Sequence, residues 1–181
     1  MKLVELFMGR KLEEAGAGLS RVVTHIRDGT PFLMVSAFRS TNPHNVNLQR
    51  HDQMKHILQR YPVSYIQTEG EYHEEGSPEP KPELSLFIMP SRGNVVMPAK
   101  RLLLIGRSLM TMFEQDSVLF GDGEMVQLVF ADGSTMKLGN RLTFRPDVID
   151  TLGGFSKLKG RKFSFTEPGA TQGAAAYQKA A

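Results

Sequence analysis

The strongest hydrophobic signal in the chain is Phe32 to Phe38, a dense apolar run bounded by Pro31 and by polar Arg39-Ser40-Thr41-Asn42. A short run that is apolar at odd and even positions alike predicts a strand buried on both faces. Asn42-Pro43 marks a loop. Asn45 is placed to cap a helix from Val46 to about Tyr61, and Pro62 ends it. Leu48, His51, Met54, Leu58 and Tyr61 recur at steps of three and four, one face of that helix. Val63 to His73 reads as a strand that turns polar toward its end. Residues 74–82, with Pro78, Pro80 and Pro82, cannot hold a ladder and predict an exposed loop. Glu83 to Met89 alternates, with Leu84, Leu86 and Ile88 on one side and Glu83, Ser85, Phe87 and Met89 on the other. Pro98 suits the first turn of a second helix running to about Gln115, with Leu102, Gly106, Leu109 and Phe113 as its buried stripe. Ser117 to Phe120 predicts a strand. Asp122-Gly123 and Asp132-Gly133 are hairpin turn signals around Met125–Phe130, and Thr135–Leu138 follows.

Strand, helix, strand, strand, helix, strand is the βαββαβ order of an α+β, ferredoxin-like antiparallel sheet, here with an added C-terminal hairpin. Both helices should cover one face, leaving the other to solvent or to a partner subunit. The core then spans residues 31–139. Residues 1–30 form an N-terminal extension, in which Val4 to Leu12 fits a short helix, Gly16-Ala17-Gly18 interrupts it, and Leu19 to Ile26 fits a helix or a strand equally well. After Gly139 the pattern weakens, and 140–181 reads as a partly flexible C-terminal extension.

Composition narrows the class. At 40% apolar and 23% charged residues, the 181-residue chain can build one real core. No run of about 18 apolar residues predicts a membrane span, and Arg10, Lys11, Glu13 and Glu14 follow Met1 too soon for a secretory signal. The absence of cysteine excludes disulfides, thiolate metal sites and cysteine nucleophiles. A formal charge of +3 is only mildly basic. The one tight basic cluster, Lys157, Lys159, Arg161 and Lys162, lies near a Gly/Ala-rich tail and reads as a solvated end.

Several chemistries lack their residues. There is no phosphate-loop motif, and Gly121-Asp122-Gly123 opens a hairpin instead. His51 and His56 are five apart, on different faces of a helix, and no metal-ligand spacing involves His25, His44 or His73. No serine stands in a nucleophile elbow. The carboxylates say more. Glu114 closes an apolar helix, at the negative end of the helix dipole, where a carboxylate calls for a cation or a polar partner. Glu83 opens a strand beside Ser85, and Tyr72 ends one rich in acid. Pattern alone equally fits an exposed helix-end residue for Glu114, an edge-strand packing residue for Tyr72 and a small core residue for Ser36.

These same residues carry a family likeness. Val35-Ser36-Ala37-Phe38-Arg39-Ser40, then Val46-Asn47, Arg50-His51 and Met54, resemble the opening of phage S-adenosylmethionine-degrading enzymes. Gly70-Glu71-Tyr72 with Glu74, a strand from Glu83, Phe113-Glu114-Gln115-Asp116-Ser117-Val118-Leu119 and Leu128-Val129-Phe130-Ala131-Asp132-Gly133 match the later motifs. Phe113 stands where the family often has tryptophan. The likeness covers roughly residues 33–133.

The resemblance implies a lyase rather than the hydrolase of older descriptions. The substrate's own carboxylate closes homoserine lactone and expels methylthioadenosine, with no cofactor and no metal. It implies a homotrimer with sites between subunits, acting in the cytoplasm of an infected bacterium against restriction–modification. By motif match, Glu114 holds the substrate ammonium, and Tyr72 and Glu83 bound the same pocket. Gln115, Ser36 and Phe38 contribute to binding; Arg39 is either a pocket residue or a structural ion-pair partner. An internal displacement with a neutral sulfide leaving group needs no protein acid or base, only positioning and exclusion of water. Three readings compete. Hydrolysis to homoserine, with water as the nucleophile, keeps the enzyme and changes the product, and the residues do not separate it from lactone formation. The other two are not enzymes. One is an RNA-binding sheet using Phe87 and Tyr65, opposed by Glu69, Glu71 and Glu83, which repel phosphate. The other is a catalytically silent relative acting on a host protein.

Overall fold

The computed structural model describes residues 20–72, 81–91, 97–139, 141–143, 154–158 and 161–166. Residues 20–27 form a helix, α1, which settles the open choice for that stretch. Then come β1 (Phe32–Ser36), α2 (His44–Leu58), β2 (Val63–Tyr72), β3 (Lys81–Pro90), α3 (Ala99–Met112) and β4 (Ser117–Gly121). They are followed by β5 (Val126–Phe130), β6 (Thr135–Gly139), β7 (Arg141–Thr143), β8 (Gly154–Leu158) and β9 (Arg161–Thr166). The architecture is α+β, and the strands form one sheet in the order β6-β5-β4-β1-β3-β2-β8-β9-β7. Every pairing is antiparallel.

β1 is an inner strand, between β4 and β3, as its two-faced apolar run requires. Leu33 and Val35 face α2 and α3, packing with Leu86, Ile88, Met54, Leu58, Leu102 and Leu109. Phe32 and Met34 face the other way, with Phe87, Met89, Val126 and Leu138. That second face is where the structure departs from expectation. It is covered from within the chain, by Val22 of α1 and Phe165 of β9, both buried. After Gly139 the described residues form three strands, β7, β8 and β9, which the weak pattern there did not predict. β8 pairs along β2 from Glu69↔Lys157 to Tyr72↔Gly154, so the backbone of Lys157, Arg161 and Lys162 belongs to paired strands.

α2 also shifts from its expected frame. It starts at His44, with Pro43 at the N-cap and no side-chain cap, so Asn45 sits inside the first turn. A proline there already has the φ a helix entry needs. The helix stops at Leu58, and Tyr61 N–H donates to Leu58 O in the turn before Pro62. Leu48 proves exposed at 38%, while Asn47 is buried at 6% and heads the stripe continued by His51, Met54 and Leu58. A polar side chain inside the apolar face needs backbone partners, and Asn47 has them, as described below.

The Phe32 ring is stacked on Phe87 at 4.8 Å and on Phe165 at 5.7 Å between centroids. A Cβ at Gly121 would stand 2.2 Å from that ring, which its neighbours hold in place. Gly121→Ala should therefore destabilise the fold by about 1–3 kcal/mol, and Phe165→Ala by about 3–5 kcal/mol, in urea unfolding. A neutral Phe165→Ala would mean that β9 does not close the second face.

Candidate active site at one end of the sheet

Antiparallel pairing gathers the candidate residues at one end of the sheet. Ser36, the last residue of β1, lies opposite Ser85, and Ser85 lies opposite Thr68 of β2. Glu83 lies opposite Gly70, and Tyr72 stands two residues further along β2, opposite Lys81. Beyond this register position, the Tyr72 side chain lies outside the described residues. β4 also starts at this end, immediately after Glu114-Gln115-Asp116, because Met34 of β1 pairs with Leu119.

The chain leaves β1 through Ala37, Phe38 and Arg39, buried or half-buried and without ladder partners. Side chains satisfy its backbone instead. Phe38 N–H donates to Ser36 Oγ at 3.0 Å. Ala37 O accepts from Arg50 Nε at 2.8 Å, and Phe38 O accepts from Gln115 Nε2 at 2.9 Å. The Asn47 amide clasps Arg39 on both sides, accepting from its N–H at 3.0 Å and donating to its carbonyl at 2.9 Å. The Phe38 ring is 8% exposed and meets His44 and His51 edge-on.

Glu114 sits on the turn that ends α3. Gln115 N–H donates to Met110 O and Glu114 N–H to Thr111 O, the paired bonds of a Schellman motif with Phe113 as C-cap. The residue after the cap in this motif takes a left-handed conformation and is usually glycine. Here it is Glu114, at φ 51°, alone among the described non-glycine residues in having a positive φ. A side chain there costs about 1 kcal/mol or more.

Two arginines support this turn. Arg50 donates to Phe113 O at 2.5 Å and lies 5.6 Å above the Phe113 ring, and Arg39 donates to Glu114 O. The Glu114 carboxylate stands 3.8 Å from Arg50 and 4.0 Å from Arg39, with its side chain 67% exposed. The cation expected at this helix end is present. The arginines nevertheless give their short bonds to backbone carbonyls and leave the carboxylate open to solvent.

Glu83 is different in kind. It is half-buried, and desolvation pushes its pKa above the usual carboxylate value, with only the Ser36 hydroxyl acting the other way. No cation pairs with it among the described residues. The Ser36 hydroxyl also donates to Leu84 O at 2.9 Å, so its single proton is shared between demands. Among the described residues, Glu83 is thus a carboxylate without a positive partner. Among the described residues no three His, Cys, Asp or Glu side chains come together in a way that could hold a metal.

Residue patterns singled out Ser36, Glu83 and Glu114, the family likeness added Phe38 and Gln115, and the hydrogen bonds and pairings join all five. They passed over Asn47 and Arg50, which the likeness includes but to which it gives no role. The available signal was a polar residue at helical spacing from His51, Met54 and Leu58. His51 ties α2 to β2 through Nε2 and Gln67 Oε1 at 3.1 Å, and its Nδ1 is buried without a partner.

Two titrations follow. Burial lowers the His51 pKa below 6.5. Its stabilising contribution is full above that value and lost as pH falls through the depressed one, so His51→Gln should flatten the decline in unfolding free energy on the acid side. The raised pKa of Glu83 works in the opposite sense. Its contribution is full below 4.5 and lost as pH rises through the folded value. Glu83→Gln should therefore be more stable than the parent at pH 7–8, by about 0.5–1 kcal/mol, with the gap closing toward pH 4.5. Equal stability at both pH values would show that Glu83 carries no desolvation penalty.

No curated protein matches the chain. Among solved structures, a phage SAM lyase in complex with S-methyl-5'-thioadenosine is similar over 60% of this chain and 87% of its own, at 16% identity and a TM-score of 0.33. The model of the S-adenosylmethionine lyase family matches residues 33–171 of the 181, and the chain belongs to that family.

Proposed function

We propose that the protein degrades S-adenosylmethionine as a lyase, giving methylthioadenosine and L-homoserine lactone. The carrying observation is Glu114, a carboxylate held on a left-handed turn whose two neighbouring arginines grip backbone and leave it exposed. Backbone strain of this kind persists where the side chain is needed, and a carboxylate so presented suits an ammonium. Membership of the lyase family supplies the substrate that carries one.

In this reading Glu114 binds the α-ammonium of the substrate, while Glu83 and Tyr72 bound the same pocket at the ends of β3 and β2. Ser36 and Phe38 shape its floor, and Gln115 holds the Phe38 carbonyl in place. The substrate's carboxylate oxygen attacks its own γ-carbon. A C–O bond forms, the C–S bond breaks, and its electron pair returns to sulfur, which leaves as a neutral sulfide. No proton moves, so no general acid or base is required. The protein's contribution is to fold the flexible methionine chain into a near-attack shape and keep water out. Positive charge leaves sulfur during the reaction, so an acid in contact with sulfur would favour the ground state. The work of Glu114 therefore lies at the ammonium end.

Further elements of the reading follow the family likeness. The four strands β4-β1-β3-β2 with α2 and α3 form a ferredoxin-like unit. The protein is a homotrimer with sites between subunits, and it acts in the cytoplasm of an infected bacterium, where loss of the methyl donor blunts restriction–modification.

The test is proton NMR of purified protein with S-adenosylmethionine in buffer containing EDTA. Lactone appearing first beside methylthioadenosine supports the internal displacement, whereas homoserine from the outset makes water the nucleophile. No consumption overturns the proposal. Glu114→Gln should lower kcat/KM by about 30–100-fold, the loss of one charge-assisted hydrogen bond of about 2–3 kcal/mol. Glu114→Gly should be equally impaired, yet as stable as the parent or more so by up to about 1 kcal/mol, because glycine suits the turn. An active or a destabilised Glu114→Gly variant would contradict this role.

A further inference from the structure

Arg50 makes a three-way bridge that the substrate contacts proposed above do not include. Its Nε donates to Ala37 O at 2.8 Å, at the exit of β1, and its terminal nitrogens reach Phe113 O at 2.5 Å and the Glu114 carboxylate at 3.8 Å. Its side chain is only 20% exposed and lies over the Phe113 ring. One planar group therefore sets the separation between two segments far apart in sequence, the exit of β1 and the end of α3. It also sits beside the carboxylate of the strained residue. Lysine carries the same charge but has no fork with which to bond two carbonyls in fixed directions.

We infer that Arg50 is a positioning residue, which aims the Glu114 carboxylate at the substrate ammonium by locking the Phe113–Glu114 turn against the exit of β1. This rests on the role proposed for Glu114. Arg50 does not itself touch substrate. Its effect is carried by Glu114 and is confined to ligands that possess the ammonium group.

That confinement makes the inference testable. Titration calorimetry with Arg50→Lys would use two probes, S-adenosylhomocysteine, which keeps the amino-acid end, and methylthioadenosine, which lacks it. The expected result is a 10- to 100-fold loss of affinity for the first and less than a 3-fold change for the second, with kcat/KM for S-adenosylmethionine falling alongside the first. A general structural role would weaken both ligands equally, and that outcome overturns the inference. In a double-mutant cycle, Arg50→Lys should add less than 3-fold to the kcat/KM loss of Glu114→Gln, and additive losses would show that Arg50 acts by another route. If Glu114→Gln alone has no effect, the Glu114 reading falls and takes this inference with it. If Glu114→Gln is impaired and Arg50→Lys is not, only the Arg50 inference falls. Should Arg50→Lys fail to fold, Arg50→Gln, which retains one amide donor group, serves in the same measurements with the same expected pattern.

Discussion

A strand buried on both faces has to leave the sheet through protein, and here its exit determines the architecture of the site. Over Ala37, Phe38 and Arg39 the backbone loses its ladder partners while still shielded from water, and unpaired buried amides are costly. Ser36, Asn47, Arg50 and Gln115 supply what the ladder no longer does. Two of these come from α2 and one from the turn after α3. Satisfying one short segment thus joins the end of β1 to both helices that cover it.

The same bonds divide labour between the charges. Arginine beside glutamate suggests a salt bridge, but the short contacts of Arg39 and Arg50 are to carbonyls, and the carboxylate lies at the outer limit of pairing distance. Pairing at that distance in an exposed setting contributes little to stability. The turn is held by backbone bonds, and the acid is left available. Glu83 complements it from the sheet, desolvated and, among the described residues, short of a positive neighbour. One carboxylate is oriented and wet, the other constrained and partly dry, and a cationic ligand suits both.

Much of this was legible in advance, and the gaps have physical causes. β1, α3, β4 and the hairpins followed from runs, alternation and turn residues, because in those elements the hydrophobic pattern and the burial agree. Asn47 was missed because helical periodicity is scored on apolar residues, and its burial depends on backbone from another segment. Glu114 was flagged through its conflict with the helix dipole, but its left-handed backbone was not foreseen. The missing glycine after Phe113 was the available sign. β8 and β9 escaped because Lys157, Arg161 and Lys162 obscure the alternation, and pairing with β2 is a long-range matter that local pattern does not carry. Register, by contrast, did what hydrophobic alternation implies. Once Ser36 pairs with Ser85, the positions of Glu83, Gly70 and Tyr72 at that end follow.

The stacking of Phe165 against Phe32 bears on how the chain reaches this state. Phe32 belongs to the first described strand and Phe165 to the last, so the second face of the sheet cannot be fully sealed until nearly all the described chain has been synthesised. During translation the early strands must wait with that face covered only in part, by α1, and exposed apolar sheet surface is the usual substrate of aggregation and of chaperones. A contact made so late favours slow completion of folding. The seal on that face thus depends on the C-terminal strand, whereas Ser36, Glu83 and Glu114 all lie on segments that precede it in the chain.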